Sequence, residues 1–290
     1  MKKTLFIICS VTLIASCDYV NNPVENVTPD PVDTSTGFVQ RKVLLEDFTG
    51  QQCPGCPAAA IVANNLIQLH GEKMVVVAIH AGFFAIPMNS GTKFRTELRT
   101  IPGEDYRTVF NISTFPNGLI NRRDFNINTN SQVIDDGDWP QAVGEELAKP
   151  AVAKIEISNN YNSSSRNLIC NVKSTFLYDT LSQNSYNLIV LVTQDSILTD
   201  QKSGTQTITN YVQQHVLRTS LTPTWGVLIS PVTKNTPITK SYNYTLPSTY
   251  PISGGISSTS CEPKNCHVVA FLYNNATKEV IQVEEKHVIP

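Results

Sequence analysis

The chain has 290 residues, of which 41% are hydrophobic and 16% are charged, and its formal net charge is −2. A nearly neutral surface gives no electrostatic basis for binding nucleic acid, so we predict no nucleic-acid partner. The length is sufficient for two domains, each with its own hydrophobic core. Seven cysteines are present, and their chemistry depends on the compartment in which the chain folds.

The amino terminus indicates export. Lys2 and Lys3 precede a short apolar run that ends in small residues before Cys17, which is typical of a secretory signal and too short to span a bilayer comfortably. The segment that ends at Cys17 resembles a bacterial lipobox, and this resemblance implies that Cys17 is acylated, for example with palmitate. We therefore expect a lipoprotein signal peptide over residues 1–17, a flexible tether over residues 18–40 and a lipid bilayer as a partner. A plain signal peptide or a retained anchor is the alternative.

Residues 41–150 have the pattern of one α/β domain. An apolar strand over residues 43–48 leads into the turn Cys53-Pro54-Gly55-Cys56, and a helix of small and apolar residues follows to residue 70. The apolar run of residues 74–80 predicts a buried strand that a right-handed crossover places beside the first. A loop with Phe115-Pro116 is expected to lead into another strand. Further helices are predicted over residues 94–100, 104–110 and 139–149, the last capped by Asp138.

The pattern changes after Pro150. Residues 151–290 contain about seven short apolar segments between turn residues, with little helix signal. This pattern predicts an antiparallel β-sandwich as a second domain. The predicted strands are residues 152–157, 168–176, 186–193, 212–217, 238–246, 267–273 and 280–283.

A strand, a Cys-x-x-Cys turn and a helix, in that order, are what a thiol–disulfide site needs. Cys53 is expected at the amino end of the helix, where free N–H groups and the helix dipole favour a thiolate. Cys56 is expected one turn further along, where it can close the disulfide. A structural disulfide is the plain alternative in an oxidising compartment. A zinc site that adds Cys261 and Cys266 has the right number of ligands, but we predict no metal and no cofactor.

Three features in order resemble the thioredoxin-like superfamily over residues 43–149. They are Asp47-Phe48, the pair Cys53 and Cys56 at the family's spacing, and Phe115-Pro116 before a strand. The resemblance implies that Cys53 is the nucleophile, that Cys56 resolves the mixed disulfide and that Asp47 is a buried acid that moves a proton to or from Cys56. It also implies that Pro116 is a cis-proline facing the dithiol, and that the partners are thiols or disulfides of exported proteins. A solvated strand-end carboxylate and an ordinary trans proline are the alternatives.

The whole layout also resembles a lipoprotein family of Gram-negative gut and oral bacteria that is named for its twenty-eight-kilodalton outer membrane protein. The stretch from Val43 to Pro57 and the apolar strand of residues 268–273 carry this likeness. It implies a lipobox, a thioredoxin-like domain and a carboxy-terminal immunoglobulin-like sandwich. The expected location is the outer membrane of the cell envelope, facing the periplasm or the cell surface.

The remaining cysteines and histidines have less specific signals. Cys261 and Cys266 flank a four-residue turn, which predicts a local disulfide, and pairing of either with Cys170 is the alternative. His80 ends a strand beside the dithiol strand and could tune the thiolate.

Two functions stay open from the sequence: a membrane-tethered thiol–disulfide oxidoreductase, and a binding or adhesion lipoprotein in which Cys53 and Cys56 form a structural disulfide. A weaker third idea is a chaperone for exported chains, with an exposed apolar loop near Phe83.

Overall fold

The structure is a computed structural model that describes residues 39–126, 132–250 and 258–289. The expected signal peptide, Cys17 and nearly all of the expected tether lie outside these ranges. Within the described ranges no helix is long and apolar enough to cross a membrane. The α-helices of this part of the chain are α1 (Cys56–His70), α2 (Ile101–Val109) and α3 (Trp139–Leu147).

Strands predominate in the described part of the chain. Those of the amino-terminal part are β1 (Val43–Thr49), β2 (Met74–His80) and β3 (Asn117–Ile120). The strands after Pro150 are β4 (Ala153–Asn162), β5 (Asn167–Phe176), β6 (Tyr186–Gln194), β7 (Ile197–Ser203), β8 (Gln206–Gln213), β9 (Val216–Ser220), β10 (Val227–Ile229), β11 (Ile238–Thr245), β12 (Thr249–Tyr250), β13 (Thr259–Ser260), β14 (Cys266–Asn274) and β15 (Val280–His287). The protein is thus a mixed α/β structure in which sheet predominates, as the sequence predicts.

The strongly apolar elements agree with the predictions, and two local predictions are wrong. Residues 94–100 form no helix, because their polar groups bond to distant parts of the chain, such as the Phe94 N–H, which donates to Asp200 Oδ2 at 3.1 Å. Asp138 precedes α3, but its side chain makes no capping hydrogen bond. Helix α2 begins three residues before the predicted start, because the Thr100 hydroxyl caps it by accepting from the Gly103 N–H.

One large sheet contains strands from both halves of the chain. In the described residues its order is β15-β14-β6-β9-β2-β1-β3, with β10 paired to β6. Strands β1 and β2 are parallel neighbours, as the predicted crossover requires. The two ends of the sheet approach each other, because the Val280 N–H donates to the Asn121 carbonyl at 2.8 Å and the Lys42 N–H donates to Gln282 Oε1 at 2.9 Å. Strands on both sides of Pro150 therefore share one sheet, and a division into two domains at that residue stays a prediction.

The large sheet is buried on both faces. One face packs against α2, and its core joins side chains of β1, β2, β6, β14 and β15. The opposite face is covered at one end by α1 and α3. At its other end the three-stranded sheet β11-β5-β4 packs against β6 and β14 in the manner of a sandwich. Because these layers cover both faces of the sheet, its strands carry apolar side chains on both faces rather than alternating apolar and polar residues.

A fully buried ion pair lies within this core. Arg122 donates to both carboxylate oxygens of Glu46, from Nε at 2.7 Å and from Nη2 at 2.6 Å, and both side chains are 0% exposed. Aromatic rings surround the guanidinium group of Arg122. They belong to Tyr106, Phe110, Phe271 and Tyr273. Such a pair is tolerated in the interior only because it is bidentate and hydrogen-bonded.

The predicted strand of residues 212–217 is two strands in the structure. Strand β8 ends at Gln213 and β9 begins at Val216. His215 between them has a positive φ of 56°, and its N–H donates to Asp195 Oδ1 at 2.6 Å. Strand β8 instead pairs with β7 in a separate hairpin that the sequence analysis does not predict. This hairpin reaches the predicted dithiol site.

Candidate functional site

Cys53 and Cys56 form a disulfide, with Cα atoms 5.5 Å apart. Cys56 is the first residue of α1, whereas Cys53 lies in the preceding turn, where its N–H donates to the Gly50 carbonyl at 3.0 Å. Cys53 is therefore three residues before the helix rather than at its amino end. Both cysteines are buried, with exposed fractions of 0% and 3%. The disulfide is thus enclosed by the protein.

The carboxyl group of Asp47 lies behind the disulfide, on β1. Asp47 is buried, and its Oδ1 has no hydrogen-bond partner in the described structure. Burial, together with the nearby charge of Asp136, raises the pKa of Asp47 from 3.8 to about 7. Asp47 and Cys56 both line a cavity of about 50 Å³, which Tyr211 also lines. A cavity of this size, lined by polar as well as apolar side chains, has room for a water molecule beside the carboxyl group and the cysteine.

Pro116 lies against the turn that holds the disulfide. The Phe115–Pro116 peptide bond is cis. A Cβ atom placed on Gly55 would lie 3.2 Å from Pro116 Cδ, so the proline ring packs directly on the residue between the two cysteines. Phe115 makes an edge-on contact with Phe84, with ring centroids 6.1 Å apart. The structure therefore brings Asp47 and Pro116 to the Cys53–Cys56 turn from two different segments.

The β7–β8 hairpin binds the dithiol turn through its backbone. The Lys202 N–H donates to the Gln51 carbonyl at 2.8 Å, and the Gly204 N–H donates to the Pro54 carbonyl at 2.9 Å. The Gln201 side-chain amide donates to the carbonyls of Gly50 and Cys53, both at 3.1 Å. Gln201 itself is buried. The hairpin thus fixes the loop that carries Cys53.

The segment around Phe84 crosses the same loop. The Gln52 N–H donates to the Phe84 carbonyl at 2.9 Å, and the Gln52 side-chain amide donates to the Ile86 carbonyl at 2.6 Å. A Cβ atom on Gly50 would lie 2.5 Å from the Phe84 carbonyl carbon, so only glycine permits this approach. Phe83, Ile86 and Met88 on this segment are exposed. An apolar surface therefore lies beside the enclosed disulfide.

The other candidate groups lie apart from the site or differ from expectation. Burial lowers the pKa of His80 to about 3, with the charge of Arg218 adding to the effect, so a neutral His80 offers no charge to a thiolate. Cys261 and Cys266 are free thiols with sulfur atoms 3.9 Å apart, well beyond the bond length of about 2.05 Å. Their predicted disulfide is absent from the structure, although the pair is adjacent. Cys170 is also a free, buried thiol, and burial raises its pKa to about 12.

No group of metal-ligating side chains occurs within the described ranges. Cys53 and Cys56 are bonded to each other, so the alternative of a shared zinc site with Cys261 and Cys266 has no support.

The residues that sequence reasoning missed are Gln201 and Tyr211 of the hairpin. The sequence does contain one sign of this hairpin, because Gly204 lies between two strand-like segments and glycine is frequent in hairpin turns. Nothing local, however, indicated that this hairpin would reach Cys53.

Comparison with known proteins assigns the family. The family model described as "Outer membrane protein Omp28" matches residues 103–290. The chain belongs to this family. The expected location in the outer membrane of the cell envelope is confirmed. The matched range begins after Cys53 and Cys56, so Omp28 membership by itself says nothing about the dithiol. No curated protein matches the chain.

Solved structures show a similar fold at low sequence identity. HBP35 of Porphyromonas gingivalis is similar with a TM-score of 0.62 and 15% identity, over 86% of this chain and 76% of that one. Protein AGR_C_4864 from Agrobacterium tumefaciens has a TM-score of 0.50 and 13% identity, over 86% of this chain and 96% of that one. A domain of the outer membrane lipoprotein Omp28 from Porphyromonas gingivalis has 22% identity over 48% of this chain and 88% of that one, with a TM-score of 0.32. The likeness to the first two concerns the fold alone.

Proposed function

We propose that this Omp28-family protein is an envelope lipoprotein, anchored through acylated Cys17, that exchanges disulfides with exported proteins through Cys53 and Cys56. One observation carries the proposal. The buried Asp47 carboxyl group and Cys56 line the same small cavity, and the pKa of Asp47 is raised to about 7. A carboxyl group with such a pKa can both accept and donate a proton near neutral pH, which is the property that a resolving cysteine needs in a neighbour.

In the proposed reaction the reduced protein acts on a disulfide of an exported protein. The Cys53 thiolate attacks one sulfur of that disulfide, a mixed disulfide forms and the other sulfur leaves as a thiolate. Asp47 then accepts the Cys56 proton through water in the cavity, and the Cys56 thiolate attacks the Cys53 sulfur. The partner leaves with two reduced sulfurs, and the Cys53–Cys56 disulfide is restored. The reverse sequence transfers a disulfide to a reduced partner.

The proposal extends to the fold around the site. Residues 41–150 would be the thioredoxin-like part and residues 151–290 the immunoglobulin-like part. The parallel pair β1 and β2, with the Cys-x-x-Cys turn between β1 and α1, supports the first assignment. The sandwich packing of β11-β5-β4 on β6 and β14 supports the second. Pro116 packs on the dithiol turn and would present its backbone to an extended partner segment.

A second candidate function is favoured by the enclosure of the disulfide. Cys53 is 0% exposed, and the β7–β8 hairpin and the Phe84 segment both bond to its loop. A disulfide in such surroundings would act as a structural staple in a binding or adhesion lipoprotein. Exchange with a protein disulfide requires these covering segments to separate from the loop.

Trapping of the mixed disulfide distinguishes the two functions. The reduced full chain carrying Cys56→Ser is mixed with a peptide that contains one disulfide, and the products are mapped by mass spectrometry after alkylation. If the protein exchanges disulfides, the Cys56→Ser variant should carry a peptide adduct at Cys53. The wild-type protein should resolve this adduct, and the Cys53→Ser variant should not form it. A structural disulfide predicts no adduct at Cys53 in the Cys56→Ser variant, and this result would refute the exchange function.

A further inference from the structure

Arg218, on β9, is a buried cation that forms no ion pair with a carboxylate of the described residues. Its side chain is 6% exposed, and its Nε has no hydrogen-bond partner in the described structure. The titratable groups that lie nearest to its charge are the phenols of Tyr250 and Tyr244 and the thiols of Cys261 and Cys266. Burial lowers the pKa of Arg218. Burying an arginine without an anionic partner is costly, so its position calls for a counter-charge.

A β-bulge directs this side chain. In the pairing of β6 with β9, Val192 faces Thr219 and Thr193 faces Leu217, so Arg218 is the extra residue of the ladder. Bulges are frequent beside functional sites, because they redirect a side chain out of the regular alternation. The guanidinium group packs on the Tyr250 ring, 4.2 Å from its centroid, and Nη2 donates to the Thr259 hydroxyl at 2.5 Å. Arg218 is thus held firmly against Tyr250 and Thr259.

Arg218 lines a cavity of about 280 Å³ beside the start of α2. Ile101 and Pro102, the first two residues of α2, line the same cavity, so the positive end of the helix dipole borders it. Glu97 also lines the cavity, but Arg99 binds its carboxylate at 2.5 Å and neutralises it. The cavity therefore carries an excess positive charge, supplied by Arg218 and the α2 terminus.

The rest of the lining is mainly apolar or aromatic. The residues are Leu98, Ile101, Pro102, Leu217, Tyr244 and Tyr250. We propose that this cavity binds a small carboxylate with a short apolar tail, with the carboxylate on Arg218 and the tail against the aliphatic and aromatic wall. The volume suits a ligand smaller than the drug-sized molecules that fill pockets of about 300–1,000 Å³. A carboxylate beside the guanidinium group would balance the buried charge of Arg218.

The test uses the full chain and butyrate as the probe. Thermal unfolding is followed in sodium butyrate and in sodium chloride of equal ionic strength, with butyramide as the uncharged analogue and inorganic phosphate as the anion without a tail. At a butyrate concentration about ten times the dissociation constant, the unfolding midpoint is expected to rise by roughly 3 °C. Butyramide and phosphate should leave it unchanged. An equal shift with butyramide or phosphate, or no shift with butyrate, would overturn the proposal.

Two variants connect the effect to the cavity. Arg218→Gln should weaken butyrate binding at least tenfold by calorimetry. The control is Arg95→Gln, which should bind butyrate as the wild type does, because Arg95 donates to the loop carbonyls of Asn89 and Gly91 and does not line the cavity. Ile101→Glu places a carboxylate at an exposed position on the rim, 79% exposed, and should also abolish the shift without unfolding the protein. Unchanged butyrate affinity in Ile101→Glu and in folded Arg218→Gln would show that the cavity is not the site.

Discussion

Replacing Asp47 with asparagine should stabilise the protein at pH 8 and destabilise it at pH 4. A carboxyl group with a folded-state pKa of about 7 and an ordinary value of 3.8 is deprotonated more easily in the unfolded chain. The unfolded state therefore binds fewer protons between these pH values, and stability falls as pH rises through this window and is level above it. The difference between the folded-state and unfolded-state pKa of Asp47 corresponds to roughly 4 kcal/mol of destabilisation of the folded protein at pH 8. The Asp47→Asn substitution removes that destabilisation but buries an amide with few partners, which costs about 1–3 kcal/mol.

The expected net result is a gain of about 1–3 kcal/mol in the free energy of unfolding at pH 8 and a loss of similar size at pH 4. Urea denaturation of the oxidised protein at both pH values measures it. Asp138→Asn is the matched control, because that side chain lies at a helix start without a capping bond, and it should show no such reversal. If Asp47→Asn changes stability equally at pH 4 and pH 8, the raised pKa of Asp47 is refuted.

Two other predictions concern the buried pair and the hairpin. Glu46→Gln leaves the fully buried Arg122 without its carboxylate and should cost about 3–5 kcal/mol in urea denaturation. Glu156→Gln breaks only exposed pairs, with Lys154 and Lys173, and should cost less than about 1 kcal/mol. Similar costs for the two variants would contradict the assignment of a buried pair. Gln201→Ala removes two hydrogen bonds to the dithiol loop and should speed reduction of the disulfide by dithiothreitol roughly tenfold. Gln206→Ala, at an exposed position of the same hairpin, should leave the rate unchanged, and equal rates for both variants would show that the hairpin does not control access.

The sequence predicted the elements whose signals are local. Strand β2 was predicted to the residue, because six consecutive apolar residues before His80 leave few alternatives. The order of β1, the Cys-x-x-Cys turn and α1 was equally local. The prediction of a helix over residues 94–100 failed, because contacts with Asp200, more than 100 residues away, decide that backbone.

The contacts that shape the site are long-range. Gln201 bonds to carbonyls that lie 148 and 151 residues earlier in the chain, and no periodicity reports such a contact. The carboxylate of Glu46 pairs with Arg122, 76 residues later, and no local pattern indicates this pair. Arg218 owes its direction to a bulge, which a sequence pattern does not reveal. The resemblance therefore pointed to Asp47 and Pro116 as residues near the dithiol, but nothing in the sequence indicated which segments cover it.

The most direct test of disulfide exchange is the reduction potential of the Cys53–Cys56 disulfide. The full chain is equilibrated with glutathione buffers, and the redox state of this pair is quantified by alkylation and mass spectrometry, with Cys53→Ser and Cys56→Ser as controls. An exchange protein predicts a potential above about −230 mV, within the range of known dithiol oxidoreductases. A pair that stays oxidised below about −300 mV would contradict the exchange function and identify a structural disulfide.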